Sequence, residues 1–477
     1  MNANIRRGFA LLAALAASAS IGVVSHAATT CADPVGGGDW PKDGLDLQST
    51  RNQVAEDKIS ADNVTNLKLN WTVDISVIGG PGGALQTMPI VAEGCVYLQT
   101  STGNAFRIIA LNADTGDLVW THPLDASGGM AAPHVNDGVV YVYEPTSVQA
   151  TGKGPHVLAL DAATGAEIYE GEGICDEAGC ANNAGATSPA IYFDGLVWLG
   201  ITNGETDGTR VGGYAIVDAT DGSLLHREYT VPDENAAVGF GGCSIWSTPA
   251  IDPETKHAYV GTGQPSTWTG KESERCNAIV KIDMDRTSDT FGEIVGASKA
   301  TADDAPYIDV DFGSGATLFR DADGRQIVAQ QQKAGWLHAA YTRHMTHAWQ
   351  TPTPGWGTAV GPFTKIANDG TRVFTVGAYG SPLIAADTTT GTIQWASPVL
   401  APAAQGAMAT ANGLVYFNDE FGVLGAFDTA TGLRLFARPM AIDNSACRHS
   451  VAGGVSVARH TVYSACGPVI AAYGLPA

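Results

Sequence analysis

The chain has 477 residues, enough to bury a large core. Its 26 lysines and arginines face 48 aspartates and glutamates, for a formal net charge of −22. That balance argues against nucleic acid and anionic membrane as partners, and leaves a basic protein, or colloidal solubility, as its meaning.

Taken in order, Met1 to Ala27 reads as a secretory signal. Arg6 and Arg7 form its basic end, Phe9 to Val24 its apolar stretch, and Ser25-His26-Ala27 a small-residue cleavage site. No later run is apolar and long enough to span a bilayer. Residues 28–477 are therefore expected to form one exported domain, periplasmic or secreted, without membrane insertion. The eight cysteines then read as disulfide partners. Cys175 with Cys180, Cys447 with Cys466 and Cys243 with Cys276 are the plausible pairs, which leaves Cys31 with Cys95 by exclusion. Cys-x-x-Cys is absent from the sequence, as is Cys-x-x-Cys-His, so neither a cysteine metal site nor covalently attached haem is expected.

Self-similarity dominates the remainder. An apolar-Asp-x-x-Thr-Gly unit ending in an aromatic or bulky residue recurs as LNADTGDLVW at Leu111 and LDAATGAEIY at Leu160. It returns as VDATDGSLLH at Val217, ADTTTGTIQW at Ala386 and FDTATGLRLF at Phe427, with degraded copies at Lys281 and Ala339. The equivalent positions are read as Asp114, Asp161, Asp218, Asp283, Tyr341, Asp387, Asp428 and Tyr473. In each unit a strand ends, Asp and Thr-Gly make a tight turn, and a second strand follows. Short strands at this period, with 58 glycines and no helix-period segments, predict an all-β, eight-bladed β-propeller. The strand near Leu67 to Trp71 supplies the aromatic missing at the C-terminus and is expected to close the ring.

The stretch Gly241 to Trp268 combines glycine corners with Trp246, whose flat face suits a planar ligand held against a ring. A core tryptophan of an ordinary blade is the plainer reading of the same residues.

The Trp-ended repeat resembles the docking motif of the quinoprotein alcohol dehydrogenases, eight-bladed propellers that bind pyrroloquinoline quinone. The opening DWPKDGLDLQSTRNQVAEDKISADNVTNLKLNW resembles theirs too, and the pattern is most similar to the polyvinyl-alcohol dehydrogenase branch. The resemblance implies a cofactor site. Thr187, in ATSPAIYFDGLVWLGITNGE, corresponds to a quinone-binding threonine, and Glu205 to a calcium ligand. Trp246, in GGCSIW, corresponds to the stacking indole. Gln264, in YVGTGQPSTW, falls where the family has an asparagine ligand, and its separation from Trp246 equals that of Glu205 from Thr187. In YIDVDFGSGATLF, Asp311 matches the catalytic aspartate, which also faces the metal, with Asp309 as rival. Lys333, in QQQKAGWLHA, matches a basic residue beside the reacting oxygens, and Gln86, in ALQTMP, another quinone contact.

Those residue types suit the implied chemistry. Calcium collects oxygen ligands, an ionised aspartate removes an alcohol proton, and an ammonium steadies developing negative charge. Two features depart from the family: Ala131-Ala132 stands where relatives carry adjacent cysteines, and Asp137 replaces an arginine. An acid at 137 is expected to repel the cofactor's carboxylates. The implied function is exported alcohol oxidation with pyrroloquinoline quinone and calcium, passing electrons to a separate acceptor such as a soluble cytochrome c. A non-enzymatic propeller scaffold is the alternative, and a quinoprotein turned to binding a sugar or polymer is a third reading.

Overall fold

The computed structural model describes residues 29–79, 85, 87–100, 106–126, 131–145, 153–175, 188–202, 211–231, 241–265, 274–300, 310–353, 364–377, 382–398, 406–448 and 453–476. These form eight sheets, antiparallel but for one added parallel strand, and six are built wholly from strands consecutive in the chain. The innermost strands, in order, are Ile90–Ala92, His134–Asn136, Ile191–Phe193, Ala250–Asp252, Thr317–Arg320, Ala367–Asn368, Ala409–Ala411 and Val455–Ala458. Neighbouring innermost strands touch from the first sheet to the third and from the fourth to the eighth, and buried Ile191 and Ile251 share one apolar cluster between the third and fourth. The last strand touches the first, which closes a propeller around a central shaft.

Closure is made by the strand Lys68–Asp74, which pairs antiparallel with Val469–Gly474 as the outermost strand of the eighth sheet. Trp71 then reaches from the eighth sheet to the first, its indole N–H donating to the Ala113 carbonyl at 3.0 Å. The same joint recurs around the ring. Trp120 donates to Ala162, Trp349 to Thr388 and Trp395 to Thr429, and the Tyr169 hydroxyl donates to Ala219. Each of these indoles lies flat on the glycine of the next sheet's turn. A Cβ added at Gly165 would fall 2.5 Å from Trp120, and one at Gly432 2.5 Å from Trp395. These glycines also have positive φ, so the turn and the indole seat need the same residue.

Two repeat positions shift. In the first sheet the turn is held by Asn112, not Asp114, because Asn112 ends the third strand opposite Cys95 and its side chain accepts the Asp114 and Thr115 amides. In the eighth sheet Gly474, opposite Thr461, replaces Tyr473. The bridges Cys31–Cys95, Cys243–Cys276 and Cys447–Cys466 are formed. Cys175 is also disulfide-bonded, and Cys180 lies outside the described residues.

The innermost edge of every sheet exposes N–H groups to the shaft, and an unpaired edge is costly to bury. A strap of chain, residues 39–59, answers this at one end. Its carbonyls accept from the innermost strands almost sheet by sheet: Trp40 from Val91, Pro41 from Val135 and Leu47 from Ile251. Gln48 then accepts from Leu318, Thr50 from Asn368 and Arg51 from Thr410. Asn52–Gln53 adds a parallel fifth strand to the seventh sheet, and the Gln53 side chain reaches Val457 of the eighth.

The strap also carries a buried ion cluster into the shaft. Asp43, fully buried, accepts from Arg51 Nη2 at 2.7 Å, from Thr248 Oγ1 at 2.8 Å and from Lys365. Burial alone would raise the Asp43 carboxyl, but Lys365 and Arg51 outweigh it and hold it well below the ordinary value. Lys42 donates to the Asp43 carbonyl, and burial draws its ammonium down to about 8. Arg51 also donates to the Ile366 carbonyl, and Gly315 leaves room for its guanidinium.

Asp43→Ala would leave two buried cations uncompensated. It is expected to lower stability in urea unfolding by about 3–5 kcal/mol. Thr248→Val removes one donor from an acid still paired, and is expected to cost about 1 kcal/mol. Equal effects of the two substitutions would refute this role of Asp43.

Candidate active site

Antiparallel pairing puts the start of each innermost strand beside the end of the strand next to it. The loops at that end of the shaft, opposite the strap, carry the residues singled out in the sequence. Trp246 precedes Ala250–Asp252 of the fourth sheet, and Gln264 follows its second strand, His257–Gly261. Asp311 precedes Thr317–Arg320 of the fifth sheet, and Lys333 follows Gln326–Gln332. The same two stations are therefore used in successive sheets. By sequence Thr187 and Glu205 flank the corresponding strands of the third sheet, and Gln86 precedes Ile90 of the first. All three lie outside the described residues, as does Asp309.

The four described candidates come together. Asp311, fully buried, accepts the Gln264 backbone N–H on Oδ1 at 2.7 Å and Lys333 Nζ on Oδ2 at 3.1 Å. Lys333 Nζ lies 4.8 Å from the centre of the Trp246 ring, a cation–π distance. An indole, an ammonium and a carboxylate thus form one continuous chain of contacts. A buried pair of this kind needs each partner, since either charge alone would be heavily penalised.

The supports are local. The Lys333 amide donates to the Asp311 carbonyl at 2.8 Å, which ties the two stations of the fifth sheet together. In the fourth sheet, Cys243 N–H donates to the Gln264 carbonyl and Gly263 N–H to Ser244. The Cys243–Cys276 bridge fastens the same corner. Gly263 matters for its missing side chain, because a Cβ there would lie 2.8 Å from Asp311 Oδ1. The Gln264 side-chain carbonyl accepts the Val310 N–H at 2.7 Å, joining the fourth sheet to the loop that carries Asp311.

One sequence expectation changes. Asp137 is an exposed residue at φ 47° in the hairpin turn joining His134–Asn136 to Val139–Glu144. That turn is at the strap end, so its carboxylate is on the far side of the sheet from the candidate site. Ala131 and Ala132 do stand at the site end and are buried.

The sequence reading also missed a layer beneath the site. Gln330, Gln331 and Gln332 are wholly buried on one strand. Gln330 donates to Ser247 Oγ at 2.9 Å, and Gln331 to the Val376 carbonyl at 3.0 Å. Gln332 Oε1 meets His338 Nε2 at 2.9 Å. Three consecutive glutamines after an apolar Ile-Val-Ala run were the available signal, since burying amides requires partners. Arg51, Asp43 and Lys365 left no such signal.

In type, these residues fit a planar quinone: an indole face, a cation beside it, an acid next to both, and a glycine edge. Gln264 Oε1 and Asp311 are oxygen donors suited to calcium, though each oxygen already accepts one hydrogen bond.

Residues 40–339 match the family model described as glucose/ethanol/alcohol dehydrogenase, beta-propeller domain, and residues 314–472 match that of outer membrane protein assembly factor BamB. Among curated proteins, the chain is 30% identical over 258 residues to a quinohemoprotein alcohol dehydrogenase of Comamonas testosteroni, covering 49% of this chain and 34% of that protein. It is 24% identical over 432 residues to a polyvinylalcohol dehydrogenase of Sphingopyxis sp. (strain 113P3), covering 78% and 62%. The chain thus spans between a third and two thirds of the length of these relatives. The crystal structure of the Comamonas testosteroni quinohemoprotein alcohol dehydrogenase superposes with a TM-score of 0.71 at 18% identity, covering 91% of this chain and 80% of that one. That likeness is one of fold.

His338 also makes the layer beneath the site sensitive to acid. Burial, with a smaller contribution from His347, lowers its imidazole from the ordinary 6.5 to about 3. The folded ring therefore stays neutral where the unfolded one is charged. Its contribution is intact above about pH 6.5 and is lost as pH falls toward 3, because there the unfolded state binds the extra proton. The slope from this one group is at most about 1.4 kcal/mol per pH unit. His338→Gln, which can still donate to Gln332, is expected to flatten the stability profile by that amount between pH 6 and 4 (roughly the middle of the window). Parallel wild-type and variant profiles would show that the ring is not buried neutral.

Proposed function

This chain belongs to the glucose/ethanol/alcohol dehydrogenase β-propeller family, and we propose that it is an exported enzyme oxidising an alcohol with pyrroloquinoline quinone and calcium. The observation that carries this reading is the convergence of Trp246, Lys333, Asp311 and Gln264 at one end of the shaft. Electrons would leave to a separate acceptor, a soluble cytochrome c being the chemistry that complements a net charge of −22.

The tasks would be divided among these residues. Trp246 holds the planar ring flat, with Thr187 and Gln86 as further contacts. Glu205, Gln264 and Asp311 supply oxygen to the ion. When bound, the quinone provides the carbonyl that accepts hydride, and calcium polarises it. Asp311 takes the hydroxyl proton of the alcohol onto a carboxylate oxygen. Two donors, Lys333 Nζ and the Gln264 amide, hold that carboxylate in position, so it needs little reorganisation to act. Lys333 keeps a fixed positive charge beside the indole, where negative charge would develop. Relatives named for a polymer substrate support a polymeric or secondary alcohol as the class to try first.

The scaffold reading rests on the match of residues 314–472 to the BamB model. Reconstitution separates the two. Folded, leaderless protein given the quinone and calcium should bind the quinone and reduce a dye with alcohols. Asp311→Asn should keep quinone binding and lose about 100- to 10,000-fold in kcat. Trp246→Ala should weaken quinone binding itself. A folded wild type that binds no quinone favours the scaffold, and full turnover by Asp311→Asn removes this residue as the base. With a basic cytochrome as acceptor, turnover should fall as salt rises.

A further inference from the structure

The strap ends, at the face opposite the candidate active site, in a cluster whose chemistry differs from that site. Glu56 and Asp57 of the strap meet His460 of the hairpin between Val455–Ala458 and Thr461–Cys466. His460 Nδ1 lies 3.2 Å from Glu56 Oε1 and 3.7 Å from Asp57 Oδ1. One donor atom from each of the three residues falls within 4.8 Å of the others.

We propose that Glu56, Asp57 and His460 bind a divalent first-row transition cation of the Zn2+ type, which pins the strap to the eighth sheet. The spacing suits it: bonds of about 2.0–2.2 Å place neighbouring donors roughly 3.0–3.6 Å apart around such an ion. A second observation is independent of that spacing. Glu56 is only 3% exposed, and its Oε2 is buried without a hydrogen-bond partner. Its other oxygen, Oε1, accepts the Lys58 and Ile59 amides, both at 2.8 Å, which fixes the carboxylate beside the ring. A buried carboxylate oxygen without a donor is a costly arrangement that a cation would relieve.

The ring is held as well. Cβ atoms at Gly36 and Gly37 would each fall 2.9 Å from a ring nitrogen of His460, Nε2 and Nδ1 respectively, so glycine backbone packs along the imidazole while Nδ1 stays 3.2 Å from Glu56 Oε1. Imidazole with two carboxylates selects a transition ion over calcium, which takes six to eight oxygens. Asp57 is exposed, so water would complete the coordination. The bound ion would lock the last part of the strap against the sheet it helps to close.

The test is calorimetric titration of ZnCl2 into the chelator-treated full chain, beside His460→Asn and Asp57→Asn. Asparagine tolerates the positive φ of 57° at position 460, so the backbone there should survive. Wild type should take up one equivalent that CaCl2 does not displace, and each variant should bind at least about tenfold more weakly. Zn2+ should also raise the unfolding temperature of wild type and not of the variants. No uptake by wild type, or equal uptake by the variants, would establish Glu56–His460 as a plain ion pair. Neither result bears on the quinone reading, whose residues lie at the other end of the shaft.

Discussion

The structure depends on satisfying the inner rim of the ring. Eight short innermost strands leave an edge facing the shaft that is too polar to bury unpaired. The strap solves the problem with its own carbonyls, and Asp43, Arg51 and Lys365 lock it down the axis. This cluster adjoins the active-end loops in sequence and in space. Thr248, which donates to Asp43, is two residues past Trp246, and Gly315, which faces Arg51, closely follows Asp311. The floor of the candidate site is therefore the top of the strap's ion cluster.

The ring geometry also explains how distant residues become neighbours. Every sheet offers the same two stations at one end, before its first strand and after its second. Trp246 with Gln264, and Asp311 with Lys333, fill these stations in adjacent sheets, and hydrogen bonds cross the seam between them. A repeat fold thus needs no special loops to build a polar cluster, because neighbouring copies of one position already converge. Four of the joints between sheets are equally economical, each with one indole, one carbonyl and one glycine.

Enzyme and scaffold propellers share this frame, so architecture alone does not choose between them. The difference lies in what fills the shaft end. A buried acid held by an ammonium and an amide, beside an indole face, is an expensive arrangement for a scaffold and a useful one for proton abstraction.

Much of this was legible in the chain. The docking turns are local chemistry, so Thr-Gly after an acid, followed by an aromatic, announced the strands, their number and the closing role of Lys68–Asp74. Trp246, Gln264, Asp311 and Lys333 could be ordered along the sequence, because each sits next to a strand end. Three things were decided only in three dimensions. Asp137 fell at the wrong end of its sheet, since a hairpin reverses direction within two residues. The strap left no periodic trace, because its hydrogen bonds go to seven different sheets through irregular backbone. The Asp43 cluster joins residues from three separate stretches, and a pairing set by ring closure has no signature in any one of them.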